Sequence, residues 1–228
     1  MLPRPVEAVI FDMDGLLVDS EVMFRECMNY VATQYGRALP DSVFLRMVGL
    51  PGPVSRVIAL DHFGEDFPID EFNEAVWAHA RTRHDTGVPL KPGVVELLDH
   101  LDAAGLPHAV ATSSSHEVVK LQLGRNGILP RFQSIVAAGD YARGKPHPDP
   151  FLTAAARLAA NPAHCLALED SHNGVRAAQA AGMMVVMVPD LLEATAEMRS
   201  LCVSVADSLH DVQTMLRSVR SARPASIG

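Results

Sequence analysis

Asp12 and Asp14, two carboxylates one residue apart, are the residues of this chain best placed to do chemistry. They follow the apolar run Ala8-Val9-Ile10-Phe11 directly and precede Gly15. A short run of β-branched and aromatic residues predicts a buried strand. Carboxylates at the end of a buried parallel strand face the crevice where open α/β sheets bind ligands. There one carboxylate can attack as a nucleophile while its neighbour moves protons. A bare Asp-x-Asp reads equally well as a solvated acidic turn. The choice between the two rests on the remainder of the chain.

Three other segments carry reactive side chains at the ends of short apolar runs or in tight loops. Thr112 closes His108-Ala109-Val110-Ala111, with Ser113 next. Lys145 lies in Gly144-Lys145-Pro146-His147-Pro148. Glu169 and Asp170 close Cys165-Leu166-Ala167-Leu168. Alone, Thr112 reads as a loop cap and Lys145 as an exposed lysine. Glu169 and Asp170 alone read as an acidic pair favoured by a helix N-terminus.

The elements around these residues alternate strand and helix, the pattern of a parallel α/β sheet. After the first strand the alternation stops for the length of a small domain. The first of four predicted helices opens at Ser20 or Glu21, carries Phe24, Cys27, Met28 and Val31 at helical spacing, and closes at Gly36. A second starts at Asp41 or Ser42 and stops at Gly49; a third covers 53–63; a fourth begins at Asp70. Alternation resumes at Lys91-Pro92-Gly93. Helices are expected over 94–104, 116–123, 151–160, 171–179 and 209–219. Strands are expected over 107–112, 134–137, 165–168, 184–188 and, weakly, 202–205. The tail from Ser221 is small and polar and is expected to fray. The expected fold is therefore a doubly wound, parallel, Rossmann-like α/β sheet with a small all-helical domain inserted after strand one. Residues 1–18 and 88–228 form the core, and residues 19–87 the insert. The glycine-rich dinucleotide fingerprint is absent from the first turn, which weighs against a nucleotide-cofactor site.

Composition narrows the class further. Hydrophobic residues make up 48% and charged residues 20%, ordinary for a soluble globular protein. The formal net charge of −8, with no basic stripe, argues against nucleic acid as a partner. No apolar stretch has the length of a membrane span, so no membrane partner is expected. The N-terminal residues show no signal-peptide pattern. Three cysteines, Cys27, Cys165 and Cys202, sit far apart in apolar surroundings and read as free thiols. Both features point to the cytoplasm.

Taken together and in order, Asp12-Met13-Asp14-Gly15-Leu16-Leu17-Val18-Asp19-Ser20 and the Thr112, Lys145 and Glu169-Asp170 segments resemble the four motifs of the haloacid dehalogenase-like hydrolases. The resemblance runs over about residues 6–208. It is strongest toward the sugar-phosphatase, β-phosphoglucomutase and pseudouridine-5′-phosphatase group. It implies that the helical insert is a cap and that the substrate is a small phosphorylated metabolite. It also implies Asp12 as nucleophile, Asp14 as acid and base, and Lys145, Thr112 and Ser113 as ligands of the transferring phosphoryl oxygens. Mg²⁺ would be held by Asp12, the Asp14 backbone carbonyl, and Asp170 with Glu169. Dehalogenases of the superfamily lack an acid at position 14, so Asp14 implies phosphoryl transfer. The mutases carry a cap histidine where Phe24 stands here, and a Lys-Asn pair where His116-Glu117 stands. Both departures favour hydrolysis over mutase activity. A receiver-type signalling domain shares the acidic residues, Thr and Lys, but is shorter and lacks the insert. Phe24, Arg46 and Arg56 are the candidates for specificity in the cap, the two arginines being equally readable as solvated. His116, His147 and His172 fall beside motifs, and no second metal is expected from them. The chain is expected to be a monomer or a weak homodimer.

Overall fold

The computed structural model describes residues 2–48, 50, 52–84 and 88–221. Gly49, the expected stop of the second helix, lies outside the described residues. So do residue 87, the expected end of the insert, and the tail 222–228.

Six parallel strands form one sheet: β1 (Ala8–Phe11), β2 (His108–Ser115), β3 (Ser134–Ala138), β4 (Cys165–Glu169), β5 (Met184–Met187) and β6 (Ser204–Val205), in the order β3-β2-β1-β4-β5-β6. The helices are α1 (Ser20–Gln34), α2 (Asp41–Leu45), α3 (Gly52–Phe63), α4 (Ile69–His84), α5 (Val94–Ala104), α6 (His116–Arg125), α7 (Asp149–Arg157), α8 (His172–Ala180), α9 (Ala196–Leu201) and α10 (Leu209–Ser221). Among the described residues, no helix is long and apolar enough to cross a membrane.

The side-chain alternation of a strand sorts the core into two layers. Val9 and Phe11 of β1, with Leu166 and Leu168 of β4, pack on one face with α5, α6 and α10. Ala8 and Ile10, with Cys165 and Ala167, pack on the other face with α7, α8 and α9. The second layer is rich in alanine, which lets α7 and α8 approach the sheet closely. All four residues of β1 are fully buried. A strand covered on both faces reads as a continuous apolar run, which is why it was legible in the sequence.

The sheet order reverses at β1, which pairs with β2 on one side and β4 on the other. The crevice of a doubly wound sheet opens at such a reversal, beyond the carboxyl ends of the strands. Asp12, Thr112 and Glu169 stand at or near those ends.

Helices α1 to α4 close over a third apolar cluster that includes Cys27, Val31, Phe44, Phe63 and Phe72. Tyr35, Phe63 and Phe67 surround Phe72 with ring centroids between 5.4 and 5.9 Å. The chain enters and leaves this unit through adjacent segments. The Asp19 N–H donates to the Pro89 carbonyl at 2.9 Å, and the Lys91 N–H donates to the Leu17 carbonyl at 3.0 Å. The Lys91 ammonium reaches Asp190 beyond β5 at 2.6 Å and Asp19 at 3.7 Å, joining both crossings to the core.

Two departures from the sequence reading have simple causes. β2 runs to Ser115, past the expected end at Thr112, because Ser115 pairs with Ala138 across an irregularity in the ladder. A polar Ser-Ser-Ser stretch resembles a loop until its partner strand is known. α9 was not expected. It has six residues, one buried side chain (Met198) and a Thr195 cap, too little for a periodic signal.

The loop after β3 leads to Lys145 and is pinned by Asp140. Its carboxylate accepts from the Ala137 N–H at 3.1 Å, Arg157 at 3.1 Å and His116 at 2.9 Å. The Arg157 bond, then the Ala137 N–H, hold its carboxyl down at about 2. A depressed folded-state pKa stabilises the protein above the ordinary aspartate value, and this is lost as pH falls through the folded one. Asp140→Asn should therefore lower stability by about 1–2 kcal/mol near neutral pH. That deficit should close between about pH 4 and 2. Urea unfolding of both proteins across this range checks it; a deficit unchanged at the acid end contradicts the assignment.

Candidate active site

β1 delivers Asp12 to the crevice. Its N–H still bonds the Leu168 carbonyl of β4 at 3.0 Å, so the backbone is fixed one residue past the strand. The chain then turns tightly. Gly15 sits at φ 80°, and its N–H bonds the Val18 carbonyl at 3.0 Å. This turn aims Asp14 back across the crevice. The Asp14 carboxylate accepts from Ser20 Oγ at 2.8 Å and Ser114 Oγ at 2.7 Å, with Thr112 Oγ1 at 3.4 Å.

Lys145 comes from the loop after β3 and is nearly buried. Its Nζ donates to Asp12 Oδ1 at 2.5 Å and to Glu169 Oε1, over the ring of Phe151. Glu169 ends β4 with no exposure. Its other oxygen accepts from the Ser171 N–H and hydroxyl at 3.3 and 3.1 Å. Ser171 in turn caps α8 by accepting from the Gly174 N–H at 3.1 Å. Tyr141 donates to the Thr112 carbonyl at 3.0 Å, bracing β2 where its ladder to β3 becomes irregular.

Two glycines leave room for the carboxylates. A Cβ on Gly15 would stand 2.2 Å from Asp170 Oδ2, and one on Gly174 would stand 1.9 Å from Glu169 Cδ. Neither position tolerates a side chain while the acids stay where they are.

Oxygens of Asp12, Glu169 and Asp170 lie within 4.8 Å of one another. Burial pushes the Asp170 carboxyl well above the usual range, and Asp12 and Glu169 add to it. Burial raises Asp12 against the pull of Lys145, and lifts Glu169 to about 7. Burial would lower the Lys145 ammonium, but Asp12 and Glu169 outweigh it and hold it above its ordinary value. Glu21 at the rim rises to about 7 through burial, then Asp14, Asp190 and Asp12. One ammonium does not balance three clustered carboxylates. Asp170 Oδ1 is buried with no hydrogen-bond partner among the described residues. A hard divalent cation fits this donor set, since such ions take carboxylate and carbonyl oxygens.

Above these groups lies a cavity of about 490 Å³. The structure brings Asp12, Asp14, Thr112, Ser113, Lys145 and Asp170 to its wall, with Phe24 opposite on α1. Glu169 lies against Lys145, buried. Arg46 is not brought there: it borders no cavity beside the acids and faces Asp61 at 3.7 Å. Arg56 borders an adjoining cavity and is tied to Asp70. His116 pairs with Asp140, and His172 bonds the Glu193 carbonyl. Among the described residues, neither they nor His147 joins a metal-type cluster. Sequence reasoning missed Ser114, Tyr141 and Trp77 entirely, and gave Ser20 only a structural place. Their roles depend on distances across the crevice, which no spacing encodes.

Residues 9–188 match the profile of the family described as haloacid dehalogenase-like hydrolase. A Drosophila melanogaster protein named "Probable pseudouridine-5'-phosphatase" is 34% identical over 214 residues, covering 90% of this chain and 92% of that protein. An Arabidopsis thaliana (DL)-glycerol-3-phosphatase is 33% identical over 195 residues, covering 80% of this chain and 63% of that protein. The crystal structure of a hydrolase from Deinococcus radiodurans with bound phosphate and sodium superposes with a TM-score of 0.80 at 28% identity. It covers 97% of this chain and 99% of that one.

The tight fit at Gly174 generates a sign test. Glycine to alanine in a helix ordinarily adds about 0.5–1 kcal/mol of stability. Gly174→Ala should instead destabilise, and should weaken Mg²⁺ or Mn²⁺ binding at least about tenfold by displacing Glu169. Urea midpoints and calorimetric metal titration read both effects. A stabilised protein with unchanged metal affinity would show that Glu169 is not fixed as described.

Proposed function

The chain belongs to the haloacid dehalogenase-like hydrolases, and from that premise we propose a Mg²⁺-dependent phosphatase working through an aspartyl-phosphate on Asp12. A phosphoric monoester hydrolase is what its named relatives and family indicate. The observation that carries the finer reading is the convergence of Asp12, Asp14, Lys145 and Asp170 on one cavity, with Glu169 buried directly behind Lys145. The substrate is a small phosphate monoester, a sugar phosphate or a nucleoside monophosphate. Residues 19–87 act as the cap over it.

Asp12 attacks phosphorus in line with the ester oxygen. The P–O ester bond breaks, and the leaving oxygen takes a proton from Asp14. Asp14 then removes a proton from water, which attacks the aspartyl-phosphate, releases phosphate and restores Asp12. Attack of a carboxylate on a phosphate dianion meets repulsion of about 4 kcal/mol per unit pair at ~4 Å and an effective dielectric near 20. Lys145 offsets part of it as a point charge on the transferring oxygens. Thr112 and Ser113 donate to the same oxygens and fix their orientation. A bound Mg²⁺, held by Asp12, the Asp14 carbonyl and Asp170 with Glu169 beside it, would neutralise the remainder. Ser20 and Ser114 hold Asp14 at the edge of the cavity, and their hydrogen bonds set its direction of approach.

Phe24 favours hydrolysis over phosphosugar mutase activity. Its ring borders the cavity and packs on Trp77 with centroids 5.1 Å apart. It offers no group to restrain Asp14 from activating water.

Asp12→Asn should reduce phosphate release below about 1% of the parent while circular dichroism stays normal. Excess EDTA should abolish turnover, Mg²⁺ should restore it, and Ca²⁺ should inhibit through its looser coordination shell. Phosphate release should also exceed isomerisation of β-glucose 1-phosphate in the same assay. Full activity in EDTA would remove the metal from the mechanism, and dominant isomerisation would make the chain a mutase.

A further inference from the structure

The catalytic cavity continues into the helical unit. A second cavity of about 380 Å³ adjoins it, and Glu21, Phe24, Val48, Leu50 and Trp77 border both. Its deeper wall is apolar, with Met28, Phe44, Met47 and Ile69. The polar groups there are few. The Ser55 hydroxyl donates to the Met47 carbonyl, and Arg56 is held by Asp70. Asn73 is half-buried at this wall and has no intramolecular hydrogen-bond partner among the described residues. Trp77 stands one helical turn further along α4, on the same face. It is the chain's only tryptophan and remains 48% exposed. The phenylalanines of the helical unit at 63, 67 and 72 are buried by one another. Core packing therefore does not account for Trp77, and the groove it forms with Phe24 faces the phosphate site.

Resting on the phosphatase reading above, we infer that this second cavity is a base-binding subsite and that the substrate class is a nucleoside 5′-monophosphate. Phe24 and Trp77 supply the stacking surface, and the Asn73 amide reads the edge of the base. An amide presents one acceptor and a donor side by side, matching the adjacent donor and acceptor of a nucleobase edge. Stacking on an aromatic side chain is worth about 5- to 150-fold in affinity. A second sugar ring in the same place would set most of its hydroxyls against methionine and phenylalanine, since Ser55 and Arg56 are already engaged within the helical unit. Buried hydroxyls without partners oppose binding. The ribose lies between the two cavities, beside Glu21 and Val48.

Ribose 5-phosphate isolates the base, since it shares the phosphate and sugar of a nucleoside 5′-monophosphate. Trp77 is its own reporter. In Asp12→Asn protein with Mg²⁺, at least one of the uridine, cytidine, adenosine and guanosine monophosphates should quench its emission saturably. The dissociation constant should be about tenfold or more below that of ribose 5-phosphate. In the active protein the same nucleotide should have the higher kcat/KM by a similar factor. Trp77→Ala should erase that preference, lowering kcat/KM for the nucleotide about tenfold more than for ribose 5-phosphate. Asn73→Asp should reorder the four bases. Equal turnover of ribose 5-phosphate and every nucleotide would overturn the subsite and leave the phosphatase intact. So would a Trp77→Ala protein that loses both substrates alike. Nucleotide-selective quenching without phosphate release from any substrate would overturn the hydrolytic reading and leave the base subsite standing.

Discussion

Three carboxylates and one ammonium share a buried floor, and much of the local structure follows from keeping them there. Each buried ion gives up hydration worth several kcal/mol even after the protein relaxes. Lys145 meets Asp12 and Glu169 directly, Ser171 satisfies the far side of Glu169, and Asp170 keeps one oxygen without a partner. The arrangement is incomplete in charge, and its shortfall has the sign and the ligand type of a hard cation. Gly15 and Gly174 are the steric counterpart of the same demand: the acids occupy the space in which side chains would otherwise stand. The sheet supplies the geometry. Asp12, Thr112 and Glu169 come from adjacent strands in the order β2-β1-β4, so residues far apart in the chain arrive side by side at the strand-order reversal.

How much of this was legible in the sequence depends on the kind of information each residue carries. Asp12, Thr112, Glu169 and Asp170 lie at or near the ends of apolar runs, and a buried parallel strand can be recognised from such a run. Lys145 was found only through resemblance, because a lysine in a proline-rich loop has no periodicity to place it. Ser20 and Ser114 embrace Asp14 from elements that meet only in three dimensions. Arg46 and Arg56 looked alike on paper, both basic and both in the insert. The rotation of their segments sends one to Asp61 and the other to the wall of a cavity. Phe24 and Trp77 come from α1 and α4, which pack directly on each other. Helix periodicity identifies an apolar face but not the residue on a facing helix.

Charged and apolar surfaces are thus housed separately. The strand ends and the Lys145 loop hold the acids and the ammonium, and their positions are fixed by main-chain pairing across the sheet. The helical unit contributes an apolar wall, two aromatic rings and one amide. Its packing rests on a cluster of its own, touching the core through Met23, Leu191 and Leu192. Of the side chains bordering both cavities, Glu21 and Phe24 lie on α1 just past the crossing from the core.

The two crossings between core and insert lie side by side, paired by main-chain hydrogen bonds at Leu17–Lys91 and Asp19–Pro89. In chain-statistical terms the insert is a closed loop whose ends are tied at the neck. The entropy of closing such a loop grows only logarithmically with its length, by about 0.6 kcal/mol for each doubling. A helix in the insert can lengthen, shorten or be exchanged with almost no change in that term. The register of β1 against β2 and β4 is not consulted, since the neck absorbs the difference. The helical unit can change, turn by turn, without reopening the placement of Asp12.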